Sequence, residues 1–445
     1  MTRKMLLLMP IMAACASPPR VVHAPANAPA ESAPAPAPRP VEEPPRRVRT
    51  EIKVVRELPR AHPSQVGMRA SILNTVDSII NAAIADGAAP GAAVAIGRHG
   101  RLVKLQGYGR LDLRHGFGAV TDSSIYDIAS LTKVVGTTTA AMMLYEQGKL
   151  DLDAPLSDYL PELRQYPDKR GITVRNILLH NAGFRSYAPL WRNARGATEY
   201  MHAIGAMPLE YITGTGTLYS DFGPILLALA IQRVTGEPID EWLRNNLFVP
   251  LGMRETLYNP LAQSILRSGA GVADESAVLM PRIAPTEIDT LFRRQHMHGR
   301  VHDENAFAIG GVAGHAGLFS SARDLARFAQ MMLNGGQLDG RRFLRPETIS
   351  LFTRRPNENS SRALGWDTPA RNSSAGDFFT AAAFGHTGFT GTSMWMDPQT
   401  QLFVVLLTNR VNPTRENQKH IPLRRALSDA VNRSIVDMPV PQRNW

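Results

Sequence analysis

Ile128-Ala129-Ser130-Leu131-Thr132-Lys133-Val134-Val135 is the stretch on which the reading of this chain turns. Ser130 and Lys133 stand three apart, and residues at that spacing share one face of a helix, so a hydroxyl and an ammonium can meet. A serine hydroxyl is a poor nucleophile until a neighbouring base takes its proton. Lysine can be that base only where burial or nearby positive charge favours its neutral form. The apolar flanks, together with residues 137–143, leave little room for water. A helix N-terminus here would also favour negative charge on the Ser130 oxygen. Lysine is scarce, at positions 4, 53, 104, 133, 149, 169 and 419, and Lys133 alone has a serine three residues before it. The plain alternative is an ordinary helix start with Lys133 reaching to solvent.

Two further motifs lie downstream. Tyr219-Ser220-Asp221 precedes an apolar helix, with Asp221 in a capping position and a Tyr hydroxyl able to pass protons between Ser130, Lys133 and a leaving group. His386-Thr387-Gly388 runs into Phe389-Thr390-Gly391 and a strand, where small residues let a substrate lie against a strand edge. Each motif alone reads equally as a helix cap or a turn.

Around these motifs the patterning predicts a helix over 68–86, with Ile72, Leu73, Val76, Ile79, Ile80 and Ile84 at helical spacing, broken by Gly87 and Pro90. Strands are predicted over 92–96 and 102–105, joined around His99-Gly100. A long apolar helix follows over 130–147. The middle of the chain reads as helical, including 224–234 and 322–333. Strands at 393–396 and 402–408 and a closing helix over 423–435 complete the series. This order implies an α/β (α+β) fold: an antiparallel sheet completed by both chain ends and flanked by helices, with a helical lobe inserted.

The three motifs, in this order, resemble those of the serine β-lactamase and penicillin-binding protein superfamily. The Tyr-x-Asn form of the second motif is closer to class C β-lactamases, D,D-peptidases and related esterases. Pro90-Gly91-Ala92-Ala93-Val94-Ala95 with Gly107-Tyr108-Gly109 resembles the family's opening hairpin, and Ile177-Leu178-Leu179-His180-Asn181-Ala182-Gly183 its Leu-Leu-x-His-Thr-Ser-Gly segment. Residues 301–306 and 310–320 look like a D,D-carboxypeptidase or esterase branch. The resemblance covers about residues 62–435 and implies the β-lactamase/transpeptidase-like fold. It makes Ser130 the acylated nucleophile, Lys133 the base and Tyr219 the proton relay. Asp221, His386, Thr387 and Gly388 would bind substrate, and the backbone N–H groups of Ser130 and Phe389 would form the oxyanion hole. Two positions depart from the pattern. His386 stands where β-lactamases carry a lysine beside a substrate carboxylate, and Asp221 stands where the family has asparagine, able to repel an anion or hold Lys133 protonated.

The chain has 445 residues, 44% hydrophobic and 20% charged, with a formal charge of +10. Arginine is spread throughout without a basic run interleaved with aromatics, so no nucleic-acid partner is implied. Cys15 is the one cysteine, which excludes an internal disulfide and a cysteine-based zinc site. His296, His298, His302, Asp303 and Glu304 cluster without a metal-site spacing and read as structural contacts, as does His315. No metal or cofactor is implied. There is no Gly-x-Ser-x-Gly elbow and no dinucleotide or P-loop fingerprint.

At the N-terminus, Arg3-Lys4, an apolar run of about ten residues and Met12-Ala13-Ala14-Cys15 read as an export signal over 1–14. The last four residues resemble a bacterial lipobox, which makes Cys15 the lipidation site. Pro- and Ala-rich sequence then forms a tether, so that 15–60 is lipidated cysteine plus spacer and 61–445 the hydrolase domain. Sorting by residue 16 places a monomer on the periplasmic face of the outer membrane, within the cell envelope. Three functions stay open: a hydrolase of D-amino-acid peptides of the peptidoglycan cell wall (D,D-carboxypeptidase-like), an esterase or transesterase on small acyl esters, and a non-catalytic envelope-binding lipoprotein.

Overall fold

The structure, a computed structural model, describes residues 57–262 and 279–443. Cys15, the export segment and the tether up to residue 56 therefore lie outside the described residues. No helix among those described is long and apolar enough to cross a membrane.

A five-stranded antiparallel sheet forms the frame. Strands β1 (Gly91–Arg98) and β2 (Arg101–Gly109) come from the start of the chain. Three others come from its end: Phe384–Thr387, Ser393–Asp397 and Leu402–Thr408. The spatial order is Phe384–Thr387, Ser393–Asp397, Leu402–Thr408, β1, β2, so both chain ends do complete one sheet. Ala92 pairs with Thr408 and Arg98 with Leu402 where the two ends meet. The β1–β2 turn sits at His99-Gly100, both at positive φ, as a tight two-residue hairpin requires.

Alternate side chains of β1 enter different cores. Ala92, Val94 and Ile96 pack with Val76, Ile80, Leu423 and Leu427 from two helices, Thr75–Ala85 and His420–Arg433. Ala93 and Ala95 face the opposite core with Leu325 and Phe328 of the helix Ala322–Leu333. Buried on both faces, the sheet is the middle of three layers, and each fully buried Leu, Ile or Phe contributes about 1.5–3 kcal/mol. The helical lobe between residues 139 and 251 includes Thr139–Glu146 and Phe222–Thr235.

Two helices differ from expectation and a third matches it. The 68–86 helix breaks at Asn74 into Ala70–Leu73 and Thr75–Ala85. Ala322–Leu333 falls where predicted, because the Ser321 side chain accepts from the Asp324 N–H and fixes its start. The helix expected from residue 130 carries a π-turn over Lys133–Thr138. An extra residue per turn is rare and concentrates at functional sites.

Candidate active site

Three separate parts of the chain converge at Ser130. It follows the short strand Ile125–Asp127 and Ala129, whose φ of 47° is an uncommon, strained value for a residue with a Cβ. The buried Asp127 carboxylate holds this turn, accepting from the Ala129 N–H at 2.9 Å and the His302 N–H at 2.7 Å. Burial pushes the Asp127 carboxyl upward in pKa. Thr390 and Thr392 donate to the carbonyls of Asp127 and Ile128 at 2.7 and 3.1 Å, clamping the third motif onto the same turn. Gly388 passes so close that a Cβ would lie 2.5 Å from the Ile128 carbonyl oxygen.

Lys133 Nζ donates to Ser130 Oγ at 2.9 Å and to the His315 carbonyl at 2.9 Å. It also lies 2.7 Å from an Asp221 carboxylate oxygen. Burial alone would lower the Lys133 pKa, but Asp221, helped by Tyr219, outweighs it and raises the pKa above the ordinary lysine value. The base role expected of Lys133 requires the neutral amine, and Asp221 disfavours that form. Nor does Asp221 cap the following helix with its side chain. Ser220 Oγ accepts from the Phe222 N–H instead, at 3.2 Å, and the Asp221 carboxylate is left for Lys133.

The Tyr219 ring stands between two histidines, with centroids 4.7 Å from His180 and 5.8 Å from His386. Lys133 Nζ is 5.0 Å and the Arg362 guanidinium 4.9 Å from its ring centre. Its hydroxyl is buried beside the Lys133 ammonium, and its own proton has no acceptor. His386 Nδ1 donates to the Thr387 carbonyl at 2.7 Å, leaving Nε2 with the lone pair, buried and also without a partner. Burial, reinforced by Arg362 and Lys133, holds His386 well below the usual imidazole pKa, and His180 likewise. His386 is therefore neutral and is no substitute for a lysine as an anion anchor.

Ser130, Tyr219 and Phe389 form the waist between two cavities. One, of about 380 Å³, is walled by Asp127, Asp221, Asp303, Glu304 and His315. The other, of about 440 Å³, is walled by Arg362, Arg410, Arg424, His386 and Thr387. Two of these arginines are spent on structure: Arg424 holds the carbonyls of Gly388, Gly391 and Thr392, and Arg410 that of Phe389. Arg362 differs. Its nearest carboxylate, on Asp367, is 3.9 Å away, and its guanidinium makes no hydrogen bond among the described residues. The backbone N–H groups of Ser130 and Phe389 likewise have no protein acceptor there, which leaves both free for an oxyanion.

The histidine- and acid-rich segment from residue 296 to 304 splits among separate partners. His298 faces the carbonyls of Met280 and Ile283, His302 pairs with Glu287 and Glu304 with Arg415. His315 Nε2 bonds Asp303 at 2.8 Å. Asp221, Asp303 and His315 lie near enough to share a cation, but the Lys133 ammonium already occupies Asp221. The sequence reading missed Asp127, His180 and Arg362 as members of the site. His180 alone had a signal, in the Leu-Leu-His-Asn segment.

A serine beside a lysine and a tyrosine, with two free N–H groups and cavities on either side, defines the class as a serine hydrolase. The chain belongs to the Beta-lactamase family, whose model matches residues 76–428. It is similar to the "N-acetylmuramyl-L-alanine amidase" of Bacillus subtilis (strain 168), 34% identical over an alignment 382 positions long that covers 79% of this chain and 82% of that one. A "Putative D-alanyl-D-alanine carboxypeptidase" of Salmonella agona (strain SL483) is 32% identical over an alignment 399 positions long that covers 82% of this chain and 89% of its own. Among solved structures the fold is shared by EstCE1, a hydrolase with promiscuous acyltransferase activity, at TM-score 0.63 and 22% identity, covering 81% of this chain and 98% of that one.

Proposed function

We propose that this protein hydrolyses an amide bond in D-amino-acid peptides of the cell wall, as a D,D-carboxypeptidase does, through an acyl-enzyme on Ser130. The observation that carries the reading is the Lys133 Nζ–Ser130 Oγ contact of 2.9 Å at the waist between an acid-walled and an arginine-walled cavity. A peptide whose carbonyl lies at Ser130 places its terminal carboxylate one residue along, within the cavity of Arg362. A guanidinium with free donors suits a planar carboxylate. The names of the amidase and carboxypeptidase relatives both concern amide bonds of cell-wall material, which supports peptides over esters.

In this reading the Ser130 oxygen attacks the acyl carbon, and the N–H groups of Ser130 and Phe389 take up the developing charge. Such donors are each worth about 10²–10³ in rate. Lys133, as an ammonium, orients Ser130 Oγ and offsets that negative charge. Tyr219 moves the proton. Asp221, Thr387 and Gly388 shape the walls. An ester substrate is the second reading, favoured by the absence of a lysine at His386.

The test is intact-protein mass after incubation with a penicillin and, separately, with a fluorophosphonate, beside Ser130→Ala. A penicilloyl adduct on the native chain alone supports peptide chemistry. A fluorophosphonate adduct without it moves the assignment to esters, and no adduct from either defeats the serine mechanism. The lipobox-like Met12-Ala13-Ala14-Cys15 supports lipid anchoring at Cys15 and a periplasmic, outer-membrane position for a monomer. Loss of acyl mass from the exported protein on Cys15→Ser is the expected result.

A further inference from the structure

We propose that His386 is the terminal proton acceptor of this site, working through Tyr219, so that the proton leaving Ser130 ends on His386 Nε2 rather than on Lys133. The proposal rests on the reading of Ser130 as the nucleophile.

Two buried polar groups in adjacent rings are left incomplete: Tyr219 Oη, beside the Lys133 ammonium, has no acceptor for its own proton, and His386 Nε2 is an acceptor without a donor. Each such orphan costs free energy, and native structures rarely leave one without a reason. The rings are 5.8 Å apart between centroids and tilted by 38°. The Nδ1–H bond to the Thr387 carbonyl fixes the tautomer, so the lone pair is on Nε2. A lysine ammonium at position 386 has no lone pair and could not accept a proton; a neutral imidazole can. Lys133, the alternative acceptor, is held by Asp221 in the form that has no lone pair.

The steps balance. As the Ser130 Oγ–C bond forms, the Ser130 proton passes to Tyr219 Oη while the Tyr219 proton passes to His386 Nε2, leaving a neutral tyrosine and an imidazolium. On collapse, the C–N bond breaks with its electron pair going to nitrogen. Tyr219 gives its proton to that nitrogen and regains one from His386. Water then repeats the sequence in deacylation. The charged groups around His386 are Lys133, Arg362 and Arg424, with His180 across the Tyr219 ring; of the carboxylates nearby, Asp221 is engaged by Lys133, and Asp367 accepts from Ser361 and the Thr368 N–H. These cations keep His386 neutral until the pH falls below the ordinary imidazole range, so the rate should drop only on that acid limb.

The experiment measures the rate of fluorophosphonate labelling of the full-length chain against pH, for the native protein, His386→Gln, Tyr219→Phe and the double variant. About a hundredfold or greater loss is expected for each single variant, within the usual worth of a positioned acid–base group. The double variant should be no slower than the slower single one, and the acid limb should vanish in H386Q. Labelling of H386Q within threefold of native, or losses that multiply in the double variant, would overturn the relay while leaving Ser130 in place. A native chain that takes no label overturns the Ser130 reading and the relay together. Should H386Q fail to fold, ¹⁵N-histidine NMR of the native protein decides: the His386 ring must titrate on the kinetic acid limb, and a ring that stays neutral across it refutes the proposal.

Discussion

The Arg362 guanidinium lies 4.9 Å from the centre of the Tyr219 ring, over a residue whose other neighbours include Lys133, His180 and His386. A cation on that face is desolvated on one side and free on the other, which makes it both an electrostatic influence on Tyr219 and an anchor facing the cavity.

Replacing Arg362 by alanine should therefore raise KM for substrates ending in a carboxylate by about tenfold to a hundredfold, the worth of a charge-assisted hydrogen bond. Labelling by an uncharged fluorophosphonate should change far less. Parallel kinetics on a D-Ala-D-Ala peptide and a neutral ester check this; equal losses on both would remove Arg362 from substrate recognition.

Asp221→Asn leaves the Lys133 ammonium buried without its counter-charge, a loss of about 3–5 kcal/mol at neutral pH. Lys133 has its pKa raised by Asp221 above the ordinary 10.5, so the pair stabilises fully below that value and fades as pH rises through the folded pKa. Denaturant melts of the native and D221N proteins should accordingly differ most near neutrality and converge in alkali. A gap that is constant with pH would mean that Lys133 is not charged in the folded protein.

Glu287 offers an acid-side counterpart. Burial raises its pKa, yet hydrogen bonds from His302 and Arg415 outweigh this and hold it at about 2. Stability from this cluster is present above the usual carboxylate value of 4.5 and lost as pH falls toward 2. Glu287→Gln should melt well below the native protein at pH 7 and close to it at pH 2, as read by calorimetry.

Gly388→Ala tests the clamp between the third motif and the Ser130 turn. The new Cβ would meet the Ile128 carbonyl oxygen at 2.5 Å and Thr392 Oγ1 at 2.1 Å, so the strand end must retreat. Because the Phe389 N–H moves with it, labelling should slow by about a hundredfold. Circular dichroism of the variant should remain native-like, and an unchanged labelling rate would show that Phe389 contributes no oxyanion donor.

Much of the frame was legible because burial writes itself into local pattern. The apolar run 92–96 of β1 and the helical spacing of Val76, Ile79, Ile80 and Ile84 are short-range signals. Ser130, Lys133, Tyr219 and His386 were found through spacing and resemblance, and the structure brings them together. What could not be read was decided across long separations. Asp221 looks like a helix cap, and only the fold shows Lys133 claiming its carboxylate. Arg362 sits in no motif, and its position above Tyr219 depends on the helical lobe packing against the sheet. The π-turn at Lys133 is invisible to periodicity, because the same apolar residues suit an α-helix equally well.

The meeting of the first and last parts of the chain in one sheet carries a temporal consequence. Ser130 and Tyr219 emerge from the ribosome long before His386, Thr387 and the Phe389 amide, and the strand Leu402–Thr408 must be complete before it can dock beside Gly91–Arg98. Pairings between such distant segments form late in folding. A nascent or interrupted chain thus carries its serine without the opposing wall, and reactivity is withheld until synthesis is nearly finished.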